Sequence, residues 1–226
     1  MDFFVSDLHI CNGKSGVDDF RPHVGAFIKF VREVVKLPEN ALYVVGDFLE
    51  LDQAHLEEIL CNYQTLWEML RYIKVIPGNH DEVLSAIDFA LAWEILPTEY
   101  IKEYNGKRFY ITHGHQWDKF NKPGTSIGHI VTGLWTYAEQ VGAAEQPIQK
   151  IINTLLPLGT QEAVKAAKVK NCEYVIMGHD HRPRVKKMNG IAVYNCGTLT
   201  HMWPKQGYPY VCVDEAGNPS LEWFMP

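Results

Sequence analysis

The chain has 226 residues, 46% of them hydrophobic and 21% charged, with a formal net charge of −6. That length and apolar content suit one domain over residues 1–226 with a substantial core, and they exclude a disordered or fibrous chain. The acidic balance weighs against a nucleic-acid partner, which needs clustered Lys and Arg, although bound metals can supply positive charge that a side-chain count misses. Cys11, Cys61, Cys172, Cys196 and Cys212 form no C-x-x-C pair. They fit a reducing compartment better than a disulfide framework or a structural zinc site. Phe3-Phe4-Val5 is too short for a signal h-region, and no apolar run of about 18 residues occurs, so a cytoplasmic protein without a membrane span is expected.

In chain order, Phe3 to Ser6 predicts a strand that runs into Asp7-Leu8-His9. Phe20, Val24, Phe27, Ile28, Val31, Val34 and Val35 recur at three- and four-residue steps, which predicts a helix from about Asp19 to Leu37, closed by Pro38. Leu42 to Val45 is a second strand, leading to Gly46-Asp47. A helix over about Gln53 to Leu70 follows, then a third strand, Tyr72 to Ile76, ending in Pro77-Gly78-Asn79-His80-Asp81. A further helix is predicted from about Glu82 to Trp93. This β-α-β-α-β-α start favours parallel strands and right-handed crossovers. Asn105-Gly106, between Tyr100–Tyr104 and Lys107–Thr112, signals a two-residue hairpin.

Gln116 to Lys170 shows no strand pattern and is cut into helical pieces by Pro123-Gly124, Gln146-Pro147 and Pro157-Leu158-Gly159. A helical insertion of this length, about 116–170, suggests a lid or an interaction surface. Its apolar stripe over 127–155 reads as core or as a homo-oligomer face sooner than as a substrate groove. Tyr174–Met177, Ile191–Tyr194, Tyr208–Val213 and Leu221–Phe224 give an all-strand finish. The class is α/β (α+β).

Five predicted strand ends therefore carry oxygen or imidazole donors, as layered α/β folds present reactive groups at the carboxyl ends of strands. The candidate ligands are Asp7, His9, Asp47, Asn79, His113, His179 and His181. Carboxylate and amide oxygens mixed with imidazoles suit Mn²⁺, Fe or Zn²⁺. Seven side chains are too many for one tetrahedral ion and suit two ions sharing a carboxylate. Such pairs hold a hydroxide for in-line attack on phosphorus. Strand alternation would turn Asp7 with His9, and His179 with His181, to one side. In Thr112-His113-Gly114-His115 either histidine satisfies the spacing. His23, His55, His129 and His201 lack this context and read as core or surface. Gly46, Gly78 and Gly178 read as turn glycines. Cys196-Gly197-Thr198 reads either as a border of a phosphate site or as an ordinary turn.

Asp7-Leu8-His9, Gly46-Asp47, Gly78-Asn79-His80-Asp81, His113 and Gly178-His179-Asp180-His181 stand in the order D-x-H, GD, GNH[DE], H, GHxH. In this the chain resembles the calcineurin-like metallophosphoesterase superfamily. The resemblance implies a β-sandwich of two mixed sheets flanked by helices. It implies that Asp7, His9 and His181 bind one divalent metal and Asn79, His113 and His179 a second, Mn²⁺ foremost, with Asp47 bridging; the pattern favours His113 over His115. It also implies that His80 protonates the leaving oxygen, a task suited to imidazole near neutral pH. In relatives an acidic residue three positions after the bridging Asp orients this His, which points to Glu50, with Asp81 the other candidate.

The opening Phe-Val-Ser-Asp-Leu-His, Gly-Asp-Phe-Leu-Glu-Leu and the helical insertion resemble the UDP-2,3-diacylglucosamine hydrolase-like branch. Those hydrolases carry Arg where this chain has His80, and HGD where it has His113-Gly114-His115. The expectation is a hydrolase of a phosphodiester, pyrophosphate or phosphomonoester whose substrate, a phosphorylated small molecule that a nucleotide would satisfy, has diverged. The alternatives are the UDP-2,3-diacylglucosamine pyrophosphatase itself, or a non-catalytic metal-binding scaffold, as a retromer subunit of the superfamily is. The intact His80 and full ligand set favour the enzyme.

Overall fold

The computed structural model describes residues 1–14, 17–86, 93–117, 158–200 and 206–226. Alternation along the first strands sets the layers. β1 (Asp2–Val5) turns Phe3 and Val5 to one face and Phe4 to the other, and β2 (Ala41–Val45) divides Leu42 and Val44 from Tyr43 and Val45 in the same way. One set packs under α1 (Val24–Phe30), α2 (Leu56–Asn62) and α3 (Gln64–Met69). The other set meets a second sheet, where Phe4 stacks on Tyr43 within a core that includes Phe109, Ile111 and Ile176.

The remaining strands are β3 (Lys74–Ile76), β4 (Glu94–Ile95), β5 (Glu99–Tyr104), β6 (Lys107–Thr112), β7 (Tyr174–Met177), β8 (Arg184–Met188), β9 (Ile191–Asn195), β10 (Tyr208–Val213) and β11 (Pro219–Phe224). Among the described residues one sheet runs β11-β10-β1-β2-β3-β4 and the other β5-β6-β7-β9-β8. Both are mixed: β1, β2, β3 and β4 pair in parallel while β10 and β11 are antiparallel, and β6-β7-β9 are parallel between antiparallel edges. On the outer face of the second sheet, α4 (Leu158–Val169) sets Ala163, Val164 and Ala167 against Tyr110, Val175, Met177 and Val193. Helices thus flank a two-sheet sandwich. The carboxyl ends of β1, β2, β3, β6 and β7 all run into the histidine- and aspartate-bearing loops.

Several elements differ from the sequence pattern. The expected helix over 19–37 is a 3-10 turn at Arg21–His23, then α1, then a π turn at Val31–Val35 that ends in left-handed Lys36. The expected helix over 53–70 breaks at Tyr63, where φ is −125° and ψ 33°. Tertiary bonds override helix propensity there: Tyr63 donates its hydroxyl to buried Asp18 at 2.7 Å, and Asn62 donates its amide to Asn12 O at 2.8 Å. Beyond His80 the described chain forms a 3-10 turn, Glu82–Ala86, and Glu94–Ile95 adds a short strand where the helix was expected to end. β8 has no apolar strand pattern because Arg-Val-Lys-Lys-Met is a charged edge strand, a composition that keeps edges from pairing with other chains. The Asn105-Gly106 hairpin forms as expected, with φ of 48° and 79°. The stripe over 127–155, and the oligomer face expected of it, lie outside the described residues. Among the described residues no helix is long and apolar enough to cross a membrane.

Tyr63→Phe removes one buried hydroxyl bond to Asp18 and leaves the ring contacts in place. Urea unfolding is expected to show a loss of about 1 kcal/mol with an unchanged m-value.

Candidate metal centre

The β1 and β2 strands end, but their hydrogen-bond ladder continues. Asp7 N donates to Gly46 O at 3.1 Å, His9 N to Asp47 O at 2.9 Å, Ile10 N to Phe48 O at 3.1 Å and Glu50 N to Ile10 O at 3.0 Å. This zipper places Asp7, His9, Asp47 and Glu50 side by side. It is not simple strand alternation that turns the paired motifs inward. Asp7, His9, Asp47, His179 and His181 all hold left-handed backbone, with φ between 47° and 74°. For residues with a Cβ this costs about 1–2 kcal/mol each, and such strain gathers at functional sites because surrounding structure enforces it.

Two triads result. Asp7, His9 and His181 can bring one ligand atom each within 4.8 Å of one another, and so can Asp47, His113 and His179. His9 Nε2 and His181 Nε2 face each other at 3.2 Å, and His9 Nε2 is also 3.9 Å from both Asp7 Oδ1 and Asp47 Oδ2. His113 Nε2 is 3.0 Å from Asp47 Oδ2. Its Nδ1 donates to Val45 O at 3.0 Å, which orients the ring and turns Nε2 toward Asp47.

The interlock between motifs depends on glycine. Gly78 and Gly178 are outside the left-handed region, so they are not merely turn glycines. A Cβ at Gly178 would overlap Ser6 Oγ and come within 2.6 Å of Asp7 Oδ2, and one at Gly78 would overlap the Asp47 carboxylate. Each loop is seated on a side chain of another.

Among the described residues five buried side-chain atoms lack a well-aligned hydrogen bond, Asp7 Oδ1, Asn79 Oδ1, Tyr110 OH, His113 Nε2 and His115 Nδ1; of these, Asp7 Oδ1 lies 3.2 Å from His181 Nε2 and His113 Nε2 lies 3.0 Å from Asp47 Oδ2. Buried polar atoms are rarely left in that state. Asp7 Oδ2 receives Ser6 Oγ and His179 N, the latter at 3.1 Å, so this carboxylate turns only Oδ1 toward the imidazoles. Carboxylate oxygen, amide oxygen and imidazole nitrogen, brought together in one buried place, form a donor set that fits divalent cations.

Beside the triads, Glu50 Oε1 accepts from His80 Nδ1 at 2.7 Å and Oε2 from His9 Nδ1 at 2.9 Å. His80 N donates to Asp47 Oδ1 at 3.1 Å. Asp81 lies elsewhere. Its carboxylate accepts from Phe48 N, Leu49 N and Gly78 N at 2.7–3.1 Å, tying the second motif to the third, and it makes no bond to the His80 ring. His115 stands behind the second triad, its ring 5.4 Å from that of His113 and 6.4 Å from that of His179, and belongs to neither triad.

Burial opposes ionisation of Asp7 and Asp47, yet the surrounding imidazoles hold both carboxyls below the usual range, Asp47 well below it. Burial would likewise raise Glu50, but its bonds from His80 and His9 bring it down to about 2. Burial would lower His80, but Glu50 and then Asp47 raise it to about 9. Burial, reinforced by His113 and His179, pushes His115 down to about 4, so its ring is neutral. Burial and the nearby Asp47 raise Asp81 to about 6.

Three further residues position the motifs, and of these only Thr198, within Cys196-Gly197-Thr198, stood out in the sequence. Ser6 Oγ sits on Asp7 Oδ2 and 2.7 Å from Val45 O. Asn195 donates its amide to Gly178 O at 2.9 Å and Asp180 Oδ1 at 2.8 Å. Thr198 Oγ1 donates to Asp7 O at 2.7 Å, which makes the Cys196-Gly197-Thr198 turn a clamp on the first motif.

A sequence profile of the calcineurin-like phosphoesterase superfamily domain matches residues 3–218. No curated protein sequence matches the chain. Among solved structures, an archaeal phosphodiesterase aligns over 99% of each chain at 16% identity with a TM-score of 0.50. YfcE, a phosphoesterase from E. coli, aligns over 94% of this chain and 87% of its own at 15% identity, TM-score 0.48. Wild-type Vps29 from Entamoeba histolytica, solved with Zn²⁺, aligns over 98% and 96% at 13% identity, TM-score 0.47.

Gly178→Ala drives a methyl group into the Ser6–Asp7 contact. Calorimetric titration with Mn²⁺ is expected to show at least a tenfold loss of affinity, with far-UV dichroism unchanged. The His80–Glu50 bond also predicts a pH signature in chelator-treated protein. His80, raised from 6.5 to about 9, adds stability that is complete below pH 6.5 and lost as pH climbs through 9. Glu50, lowered from 4.5 to about 2, adds stability that is complete above pH 4.5 and lost as pH falls through 2. Thermal melts of wild type and Glu50→Gln are therefore expected to differ most between pH 4.5 and 6.5, with the difference narrowing as pH climbs through 9.

Proposed function

The chain belongs to the calcineurin-like phosphoesterase superfamily, and from that premise we propose that it is an enzyme hydrolysing a phosphorylated small molecule at a two-cation centre. In this reading Asp7, His9 and His181 hold one cation, Asn79, His113 and His179 the other, and Asp47 lies between them. Mn²⁺ suits the mixed donors best, with Fe or Zn²⁺ as alternatives. When bound, the cations supply positive charge against the phosphoryl oxygens and acidify a water for attack on phosphorus. The observation that carries the reading is the convergence of Asp7, His9 and His181, and of Asp47, His113 and His179, beside the buried Asn79 Oδ1 that makes no hydrogen bond, in a site where strained backbone aims several of these side chains the same way.

The chain's own residues divide the remaining work. Asp47 uses Oδ1 to hold the His80 main chain and turns Oδ2 toward His113 and His9. His80 has its Nδ1 committed to Glu50, which leaves Nε2 to hand a proton to the departing oxygen. Glu50, not Asp81, orients it, since the Asp81 oxygens are taken by main-chain N–H groups. Phosphodiester, pyrophosphate and phosphomonoester all meet this chemistry. The likeness of the opening motifs to the UDP-2,3-diacylglucosamine hydrolase-like branch favours a pyrophosphate or diester bearing a nucleotide.

The test is hydrolysis of bis(p-nitrophenyl) phosphate, which expels p-nitrophenolate, and of a dialkyl phosphate diester, which expels an alkoxide, with Mn²⁺, Co²⁺, Ni²⁺ or Zn²⁺. Turnover is expected with at least one metal and is expected to be abolished in Asp47→Ala. His80→Ala is expected to lower kcat by about 10²–10⁴-fold for a poor leaving group and far less for p-nitrophenolate, which needs no proton. Full ligand occupancy with no turnover of any phosphoester would favour a non-catalytic scaffold.

A further inference from the structure

We infer that Glu50 is a shared positioning residue: one carboxylate holds both the first cation's ligand His9 and the acid His80, so that cation binding and proton donation depend on the same side chain. The inference rests on the two-cation reading above and extends it, because orienting His80 would need only one of the two Glu50 oxygens.

Glu50 is 5% exposed, and both of its oxygens are engaged. Oε2 takes His9 Nδ1 at 2.9 Å and Oε1 takes His80 Nδ1 at 2.7 Å, with the two rings edge-on, centroids 5.0 Å apart and planes at 82°. A carboxylate accepting from Nδ1–H fixes the tautomer of each ring and leaves each Nε2 facing away from Glu50. For His9 that atom is the one 3.2 Å from His181 Nε2, inside the first triad. Glu50 is itself anchored: its N donates to Ile10 O, one residue from His9, at 3.0 Å, and its carbonyl accepts from Gln53 N and Ala54 N. No other described side chain bonds His9 Nδ1. Asp52, 3.4 Å from His80 Nδ1, has a 68% exposed side chain and is a weak substitute on the outer side.

The arrangement makes Glu50→Gln different from His80→Ala. Manganese titration of the chelator-treated full chain is expected to show two sites in wild type, both retained in His80→Ala. In Glu50→Gln one of the two is expected to weaken about 10- to 100-fold, as loss of a partner behind a ligating imidazole does. Glu50→Gln binding both ions as tightly as wild type overturns the inference and leaves the two-cation reading intact; wild type binding no metal overturns that reading instead. A readout free of both metal and activity is the imidazole N–H region of the proton spectrum of the metal-free chain. Two low-field, slowly exchanging Nδ1 protons, from His9 and His80, are expected in wild type. At least one is expected to vanish in Glu50→Gln, whose single amide oxygen can accept from one ring only, and only that of His80 in His80→Ala. A wild-type spectrum lacking the His9 signal overturns the shared bond whether or not any variant folds.

Discussion

The structure depends on a few main-chain hydrogen bonds made after two strands have ended. The bonds from Asp7, His9 and Ile10 to Gly46, Asp47 and Phe48, and from Glu50 back to Ile10, carry the β1–β2 register into the loops. A loop normally satisfies its backbone with water or local turns. Here it does so with another loop, and the side chains are consequently held at fixed spacing. The first triad, the Asp47 carboxylate and the Glu50 bridge to His80 all take their positions from that alignment.

Holding these groups together is costly, and the surrounding layers offset the cost. Two ionised carboxylates and several imidazoles are buried in close contact, and five of the residues involved hold left-handed backbone. The core between the sheets and the one beneath the helices begin directly under the loops, at Val5, Val45 and Ile76. The strain sits where rigid strands enter, not at free loop tips. Asp81 serves the same end, pinning Phe48, Leu49 and Gly78 from below while leaving Glu50 free for the imidazoles.

Much of this was legible in the sequence because the code for it is local. An apolar run followed by donor residues, through a glycine in three of the five cases, marks a strand end with candidate ligands, and five such marks in order identified the family and its sandwich. Asn105-Gly106 was legible for the same reason, since two residues dictate the turn. What escaped was set by distant parts of the chain. The break at Tyr63 follows from Asp18, the roles of Asn195 and Thr198 appear only once β9 lies beside β7, and edge strand β8 hides its pairing behind lysines. Strand periodicity also gave the right neighbours for the wrong reason: Asp7 and His9 meet through left-handed backbone, not through alternation.

Gly46, Gly78 and Gly178 have a consequence for how such a centre can be altered. The first receives the His113 ring, the second the Asp47 carboxylate, the third Ser6 and Asp7. Each motif thus supplies both a tenant and a vacancy, closing a circle of mutual fit around the mouth of the sandwich. Loops cannot be transplanted singly into another scaffold, because every one arrives needing a hollow that only its neighbours provide. A transferable unit would have to comprise the strand ends together with the glycines behind them.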